Sequence, residues 1–257
     1  MTYAIETGAL TKRYETTTAV DTLDLTVTEG SVYGFLGPNG AGKTTTMRLL
    51  TGLTQPTSGT ATVAGADIAD RDALRPHIGY LPEEPPLYEQ ATAYEQLEYV
   101  AGLRDIPDEQ TRKRIDTLLN ALDLPEEDAR TRIAEYSKGM RQKVAYVQAV
   151  FHEPDVVFLD EPTSGLDPRA ARTIREMIRE LASEGTTVFL STHILPVVEE
   201  AAETVGILYD GQLVAEGTPD ELKQRAETGE TRTLEDAFLE VTSADPVSDD
   251  GSEAIDG

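Results

Sequence analysis

One short segment constrains the fold of this chain more than any other. Its residues are Gly37, Pro38, Asn39, Gly40, Ala41, Gly42, Lys43 and Thr44, followed by Thr45. The spacing of glycine, four residues, glycine, lysine and threonine predicts a phosphate-binding loop between a strand over 31–36 and a helix over 45–53. Backbone N–H groups of such a loop and the helix dipole attract phosphate oxygens. Lys43 is expected to reach the β and γ phosphates, and the Thr44 hydroxyl to face Mg²⁺.

A second candidate group lies further along the chain, where an apolar run over 156–159 ends in two carboxylates, Asp160 and Glu161. This pattern is typical of a parallel strand that is buried on both faces and whose tip enters a site. Asp160 is the candidate metal ligand, and Glu161 is the candidate general base for the attacking water. The alternative is a strand that ends in acids at the surface.

Another apolar strand, over 187–190, is followed by Ser191, Thr192 and His193. This histidine is therefore predicted to lie at the same edge of the sheet, where it could hydrogen-bond the γ phosphate. His77 and His152 lack such a setting.

Residues 136–142 open a predicted helix with a serine cap at Ser137. The order of all these motifs resembles the nucleotide-binding subunits of ATP-binding cassette (ABC) transporters, over about residues 4–217. The run from Ser137 to Met140 stands where that family has Ser-Gly-Gly-Gln, with Lys138 and Met140 as departures. The resemblance implies that Ser137 and Gly139 complete the ATP site of a second subunit in a head-to-tail dimer.

The resemblance also implies roles that the residues alone leave open. Tyr14 matches the aromatic that stacks on adenine, but a tyrosine packed on a small sheet fits equally. Glu83 stands where the family has a glutamine near Mg²⁺, and an exposed loop acid is an equal alternative. The loop that ends at Asp167 resembles the one that communicates across the dimer, although Asp167 before Pro168 also predicts a helix N-cap.

Composition limits the partners. The chain carries 47 acidic residues against 22 basic ones, for a net charge of −25, so its surface repels nucleic acid and we expect no nucleic-acid partner. Acid-rich, lysine-poor proteins resemble those of salt-loving microbes, which predicts that this chain needs concentrated salt. Cysteine is absent, which excludes disulfides. No apolar run approaches 18 residues, so membrane work is assigned to a separate chain.

These patterns together predict an α/β fold: a P-loop NTPase core with a mostly parallel sheet, a small antiparallel β subdomain and an inserted α-helical subdomain. We assign residues 1–217 to the ATPase domain, with the insert at about 84–149. A short helical extension follows at 218–242. The acidic end, 243–257, is predicted to be disordered, the alternative being contact with a partner.

The function that the resemblance implies is ATP binding and hydrolysis, with Mg²⁺, powering export through a separate membrane permease. The ATPase would then work as an ATP-dependent homodimer at the cytoplasmic face of the membrane. The candidate permease contact is the groove between the core and the helical insert, near residues 83–97, where the loop at 85–88 offers apolar surface, unless that loop only packs the subdomain joint. Two rivals share part of the motif set: a soluble ABC ATPase for assembly or scaffolding, for example of the iron-sulfur cluster type, and a nucleotide kinase.

Overall fold

The computed structural model describes residues 2–225 and 233–243, and gives no side-chain burial for 108–110. The strands are β1 (Tyr3–Tyr14), β2 (Thr17–Thr28), β3 (Val32–Leu36), β4 (Ser58–Val63), β5 (Ala66–Asp67), β6 (Ile78–Leu81), β7 (Val156–Asp160), β8 (Thr187–Thr192), β9 (Thr204–Tyr209) and β10 (Gln212–Gly217). The helices are α1 (Lys43–Leu50), α2 (Arg71–Leu74), α3 (Ala93–Gly102), α4 (Asp108–Ala121), α5 (Glu126–Ala129), α6 (Lys138–Val150), α7 (Pro168–Ser183), α8 (Leu195–Ala201), α9 (Pro219–Arg225) and α10 (Leu234–Ser243), with short 3₁₀ turns at Arg75–His77 and Ile133–Glu135.

The larger sheet has six strands in the order β10-β9-β3-β8-β7-β6. Its pairs are parallel except the β9–β10 hairpin. Every residue of β3, β7 and β8 is buried, because apolar clusters cover both faces of the sheet. The predicted buried strands and the predicted P-loop α/β class are therefore confirmed.

The smaller sheet is antiparallel, with the order β2-β1-β4-β5. Along β2, buried Leu23, Leu25 and Val27 alternate with exposed residues, as expected for a strand with one face on the core. The sheet packs against β3 and α1 through a shared apolar cluster, which includes Phe35 and Met47. It therefore closes over the strand and helix that flank the glycine loop.

In chain order, helices α3 to α6 come between β6 and β7, which are neighbouring strands of the larger sheet. A capping box is present at the start of α3: Thr92 accepts from the Glu95 amide, and Glu95 accepts from the Thr92 amide. Apolar side chains of α3, α4 and α6, including Leu97, Ile115 and Val147, are buried in one cluster. This insert is thereby packed onto the core that carries the sheet.

Several element ends differ from the prediction. The helix predicted over 45–53 spans Lys43–Leu50; it stops where Thr51 bonds the carbonyl of Met47 and Gly52 turns to a φ of +67°. The C-terminal helices lie in the predicted extension at 218–242, except that α10 includes Ser243, which falls in the predicted tail. The rest of that tail lies outside the described residues. The domain boundaries at 217 and 242 stay predictions.

None of the helices in the described ranges combines the length and the apolar character needed to cross a bilayer.

Candidate functional site

A cavity of about 330 Å³ opens at the carboxyl edge of the larger sheet. Parallel register brings its parts together, since Leu36 pairs with Thr192, and Asp160 pairs with Ser191. The lining residues are Ala19, Pro38, Asn39, Gly40, Gly42, Lys43, Thr44, Thr45, Glu83, Asp160 and Glu161. Most of the predicted phosphate-site residues therefore share one cavity, together with both strand-end carboxylates and Glu83.

The conformation of the glycine loop requires glycine at two positions. Gly42 precedes α1 with a φ of +108°, and a Cβ there would overlap the carbonyl oxygen of Ala19. Gly37 is packed just as tightly against the backbone of Leu208, while Ala41 is buried. Gly37 and Ala41 therefore shape the loop from behind rather than line the cavity.

Lys43 extends along the loop instead of into solvent. Its Nζ donates to the carbonyl oxygens of Gly37 (2.6 Å) and Pro38 (3.2 Å), and lies 3.7 Å from Glu161 Oε1. Burial lowers the pKa of Lys43, while the charges of Glu161, Asp160 and Glu83 oppose that shift. The ammonium is thus held over the loop, next to three carboxylates.

Glu161 is fixed from several directions. Its Oε2 accepts from the Thr192 hydroxyl (2.9 Å), and its Oε1 accepts from the His193 amide (3.0 Å). The His193 ring Nδ1 is 2.8 Å from the same Oε1. The backbone of Glu161 has a φ of +49°, a left-handed conformation that costs free energy in a residue with a side chain. A hydrogen bond from its N–H to the Ser191 carbonyl (2.9 Å) helps to hold it.

Asp160 is 1% exposed, and only one of its two carboxylate oxygens has a hydrogen-bond partner within the described residues. Its Oδ1 accepts from the Ser191 hydroxyl, whereas its buried Oδ2 has no hydrogen-bond partner within the described residues. A buried carboxylate oxygen without a donor suits a hard cation, and the Thr44 and Glu83 oxygens line the same cavity. The donor set therefore fits Mg²⁺. Across the described ranges, no group of three or more His, Cys, Asp or Glu side chains forms a metal cluster.

Sequence reasoning missed two residues here. Ser191 and Thr192 were noted only as neighbours of His193, yet their hydroxyls bond Asp160 and Glu161 across the β7–β8 pair. The signal was present in the sequence: two hydroxyl residues end an apolar strand predicted to lie beside the one that ends in Asp160 and Glu161.

The second predicted half of the site lies on the surface. Ser137 is exposed and caps α6 by accepting from the Met140 amide (3.2 Å). The stem of Lys138 lies across Gly165, in the loop that follows Glu161, and Gln142 Nε2 donates to the Pro162 carbonyl (3.2 Å). The start of α6 is therefore tied to that loop, but Ser137 and Gly139 do not line the phosphate cavity of their own chain.

Asp167 caps α7 as predicted, by accepting from the Arg169 and Ala170 amides. Tyr14 does not line the cavity; it ends β1, 44% exposed, with Lys12 Nζ 4.9 Å from its ring centre. Both interpretations of Tyr14 stay open. In the loop at 85–88, Leu87 packs on the core, while Tyr88 is 58% exposed and meets Tyr99 edge to face.

Comparison with known proteins gives the family. The profile described as ABC transporter matches residues 20–164. The chain belongs to the ABC transporter ATP-binding family. This membership confirms the predicted ATPase class and the link to ATP-powered transport. It also separates the chain from nucleotide kinases.

Three curated relatives illustrate the similarity. An uncharacterized ABC transporter ATP-binding protein of Nostoc is 45% identical over 77% of this chain, but the match spans only 59% of its own length. The daunorubicin resistance ATP-binding protein DrrA3 of Streptomyces coeruleorubidus is 40% identical over 89% of this chain and 72% of its own. The bacitracin transport ATP-binding protein BcrA of Enterococcus faecalis is 38% identical over 88% and 72%.

Two solved structures share the fold. The ATP-binding subunit of an ABC transporter superimposes with a TM-score of 0.85 at 32% identity, covering 94% of this chain and all of that one. A dimeric ATP-binding cassette in a post-hydrolysis state, bound to ADP and Pi, gives a TM-score of 0.77 at 26% identity, covering 83% of this chain and 98% of its own.

Proposed function

We propose that this chain hydrolyses ATP to drive export through a separate membrane permease, at the cytoplasmic face of the membrane. Two of the relatives are named for drug resistance or for transport of an antibiotic, which supports export as the direction. Because the cargo is selected by membrane helices of another chain, its identity does not follow from the ATPase.

The observation that carries the proposal is the fixed geometry of Glu161 beside the phosphate loop. Three hydrogen bonds or close contacts, from Thr192 and His193, orient its carboxylate next to Lys43. A carboxylate held in this way can polarise a water molecule for attack on the γ phosphate. Lys43 would bind the β and γ phosphates, exchanging its contacts with loop carbonyls for phosphate oxygens. His193 would contact the γ phosphate from the exposed side of the same carboxylate.

The family implies Mg²⁺, and the residues present fit it. Thr44 and Asp160 would hold the ion, and Glu83, which lines the same cavity, would be a further ligand. When bound, Mg²⁺ supplies charge neutralisation of the β and γ phosphates. The Oδ2 of Asp160 supports this role, since it has no hydrogen-bond partner within the described residues and a cation in the cavity would supply one.

The exposed Ser137 and the half-buried Gly139 would complete the site of a second copy. Their surface position beside a helix N-terminus suits an anion brought by a partner, and one solved relative is a dimer. ATP held between a phosphate loop and a partner's Ser137 would favour the closed dimer, and loss of the γ phosphate would remove that preference. The loop at 85–88, in which the Tyr88 side chain is exposed, is the proposed permease contact.

Glu161→Gln tests the assignment. The amide keeps the size of the side chain but removes the base, so hydrolysis is expected to fall on the order of a hundredfold or more while ATP binding persists. The variant should accumulate as a closed dimer, visible by size-exclusion chromatography with ATP and Mg²⁺.

Asp155→Asn is the matched control, because Asp155 is an exposed acid that immediately precedes the same strand, and its side chain bonds only His77 within the described residues. This variant should hydrolyse ATP at the rate of the unaltered protein. A Glu161→Gln variant that stays monomeric with ATP, or that turns over normally, would contradict the role of Glu161.

A further inference from the structure

A second, larger cavity lies between the helical insert and the core. This α4–α7 cleft has a volume of about 840 Å³ and is walled by α4, the C-terminal end of α6, the α7 face and the turn at 105–107. It shares no residue with the phosphate cavity. Its size falls within the range of small-molecule sites.

Polar atoms without partners concentrate on the walls of this cleft. Tyr146 Oη, His152 Nδ1 and Arg114 Nε are all buried, and each lacks a hydrogen-bond partner in the part of the chain that the structure describes. The Tyr146 side chain is fully buried, at 0% exposure. Since buried polar groups are nearly always bonded, Tyr146 Oη and His152 Nδ1 around one cleft indicate that a bound group supplies their missing partners. Arg114 Nε can only donate, so a group that donates to those two atoms leaves it unchanged.

Two of these atoms are acceptors. His152 Nε2 is 2.9 Å from the Ile78 carbonyl oxygen, which can only accept, so Nε2 carries the proton and Nδ1 carries a lone pair. Burial, reinforced by the charges of Arg104 and Arg114, lowers the pKa of His152 to about 4, which keeps the ring neutral near pH 7. Burial raises the pKa of Tyr146, so its hydroxyl also stays neutral and can accept a hydrogen bond.

The charges around the cleft favour a cation. Glu180 and Glu184 lie one turn apart on α7, and neither forms a salt bridge within the described residues. Arg114 is already paired with Glu153. The remaining charged lining residues are Asp105 and Lys113. Carboxylates therefore outnumber cations, which disfavours an anionic ligand.

The rest of the wall is apolar. It comprises Ile106, Leu118, Val150, Phe151, Met177 and Leu181. We propose that the α4–α7 cleft binds an amphipathic organic cation, whose apolar body packs on these side chains. The N–H groups of the cation would donate to Glu180, Glu184 and the two unpartnered acceptors, Tyr146 Oη and His152 Nδ1.

The probe is proflavine, a flat aromatic cation with amino groups. Its fluorescence anisotropy reports binding to the full chain, measured at a salt concentration at which the chain is folded. One saturable site per chain is expected. Ala121→Trp, which fills the cleft from α4, should raise Kd at least about tenfold. Glu180→Gln and Glu184→Gln, which keep size but remove charge, should each raise Kd by about three- to tenfold.

Glu176→Gln is the matched control, because Glu176 lies on the same helix, is exposed and does not line the cleft. Its Kd should equal that of the unaltered protein. Anilinonaphthalene sulfonate, an aromatic anion, should not compete with proflavine. If Glu176→Gln weakens proflavine as much as Glu184→Gln, or if the sulfonate displaces proflavine, the site is overturned. An unchanged Kd in both glutamine variants of the cleft would overturn it even if Ala121→Trp fails to fold.

Discussion

The two proposed halves of the ATP site differ sharply in how far one chain completes them. At the phosphate cavity, Lys43, Asp160 and Glu161 are at most 6% exposed and are held by hydrogen bonds from their own chain. At the start of α6, Ser137 and Lys138 are exposed, and Lys138 has no hydrogen bond or ion pair within the described residues. A preorganised interior can perform chemistry, whereas an uncovered helix start needs an outside partner.

The strongest challenge to this comparison is Ser137→Arg. A bulky cation at the helix start should disrupt the contact of this segment with the nucleotide of a second subunit, so turnover at that site is expected to fall on the order of a hundredfold, while nucleotide binding to the intact phosphate cavity persists. Steady-state hydrolysis and equilibrium binding of a fluorescent ATP analogue separate the two effects.

Ser183→Arg provides the matched control, since Ser183 is an exposed serine at the end of α7. It should leave turnover unchanged. Loss of nucleotide binding in Ser137→Arg, with Ser183→Arg intact, would place Ser137 in its own chain's site instead.

A smaller effect is expected from His193→Ala, which removes one contact to Glu161 but leaves the Thr192 hydroxyl in place. Hydrolysis should fall about tenfold, mainly in kcat, because the altered group acts near the γ phosphate and not on the loop. His77→Ala is the control, since His77 contacts Asp155 away from the cavity. Equal rates in the two variants would leave His193 with a structural role only.

The smallest effect concerns the exposed surface as a whole. With a net charge of −25, surface carboxylates repel one another unless cations screen them, whereas the buried charges of Lys43 and Glu161 are paired within the fold. Thermal melts in a KCl series should show Tm rising by several degrees or more between dilute buffer and molar salt. A Tm that is equal or higher in dilute buffer would show that this acidic surface needs no salt.

The sequence predicted the interior half of the site well, because its chemistry is local. The loop from Gly37 to Thr44 and the carboxylates at 160–161 each form one continuous motif at the end of an apolar strand. The bonds from Ser191 and Thr192 were not predicted, since they depend on the side-by-side register of β7 and β8.

The contact of Lys138 with Gly165 was not predicted either. It joins the start of α6 to the loop after Glu161, and the spacing of apolar residues contains no information about such a contact. Helix ends at residues 50 and 243 were displaced by a few residues for a related reason. Local capping and tertiary contacts, which a hydrophobic pattern does not contain, decide where a helix stops.

Mixing two inactive variants tests the central claim most directly, namely that one chain's Glu161 works with another chain's Ser137. Glu161→Gln and Ser137→Arg are combined before ATP is added, and hydrolysis is compared with each variant alone. A mixed head-to-tail dimer would contain one site with both residues intact, so the mixture should recover up to about a quarter of normal turnover. No recovery above the separate variants, although both bind ATP, would contradict the shared site.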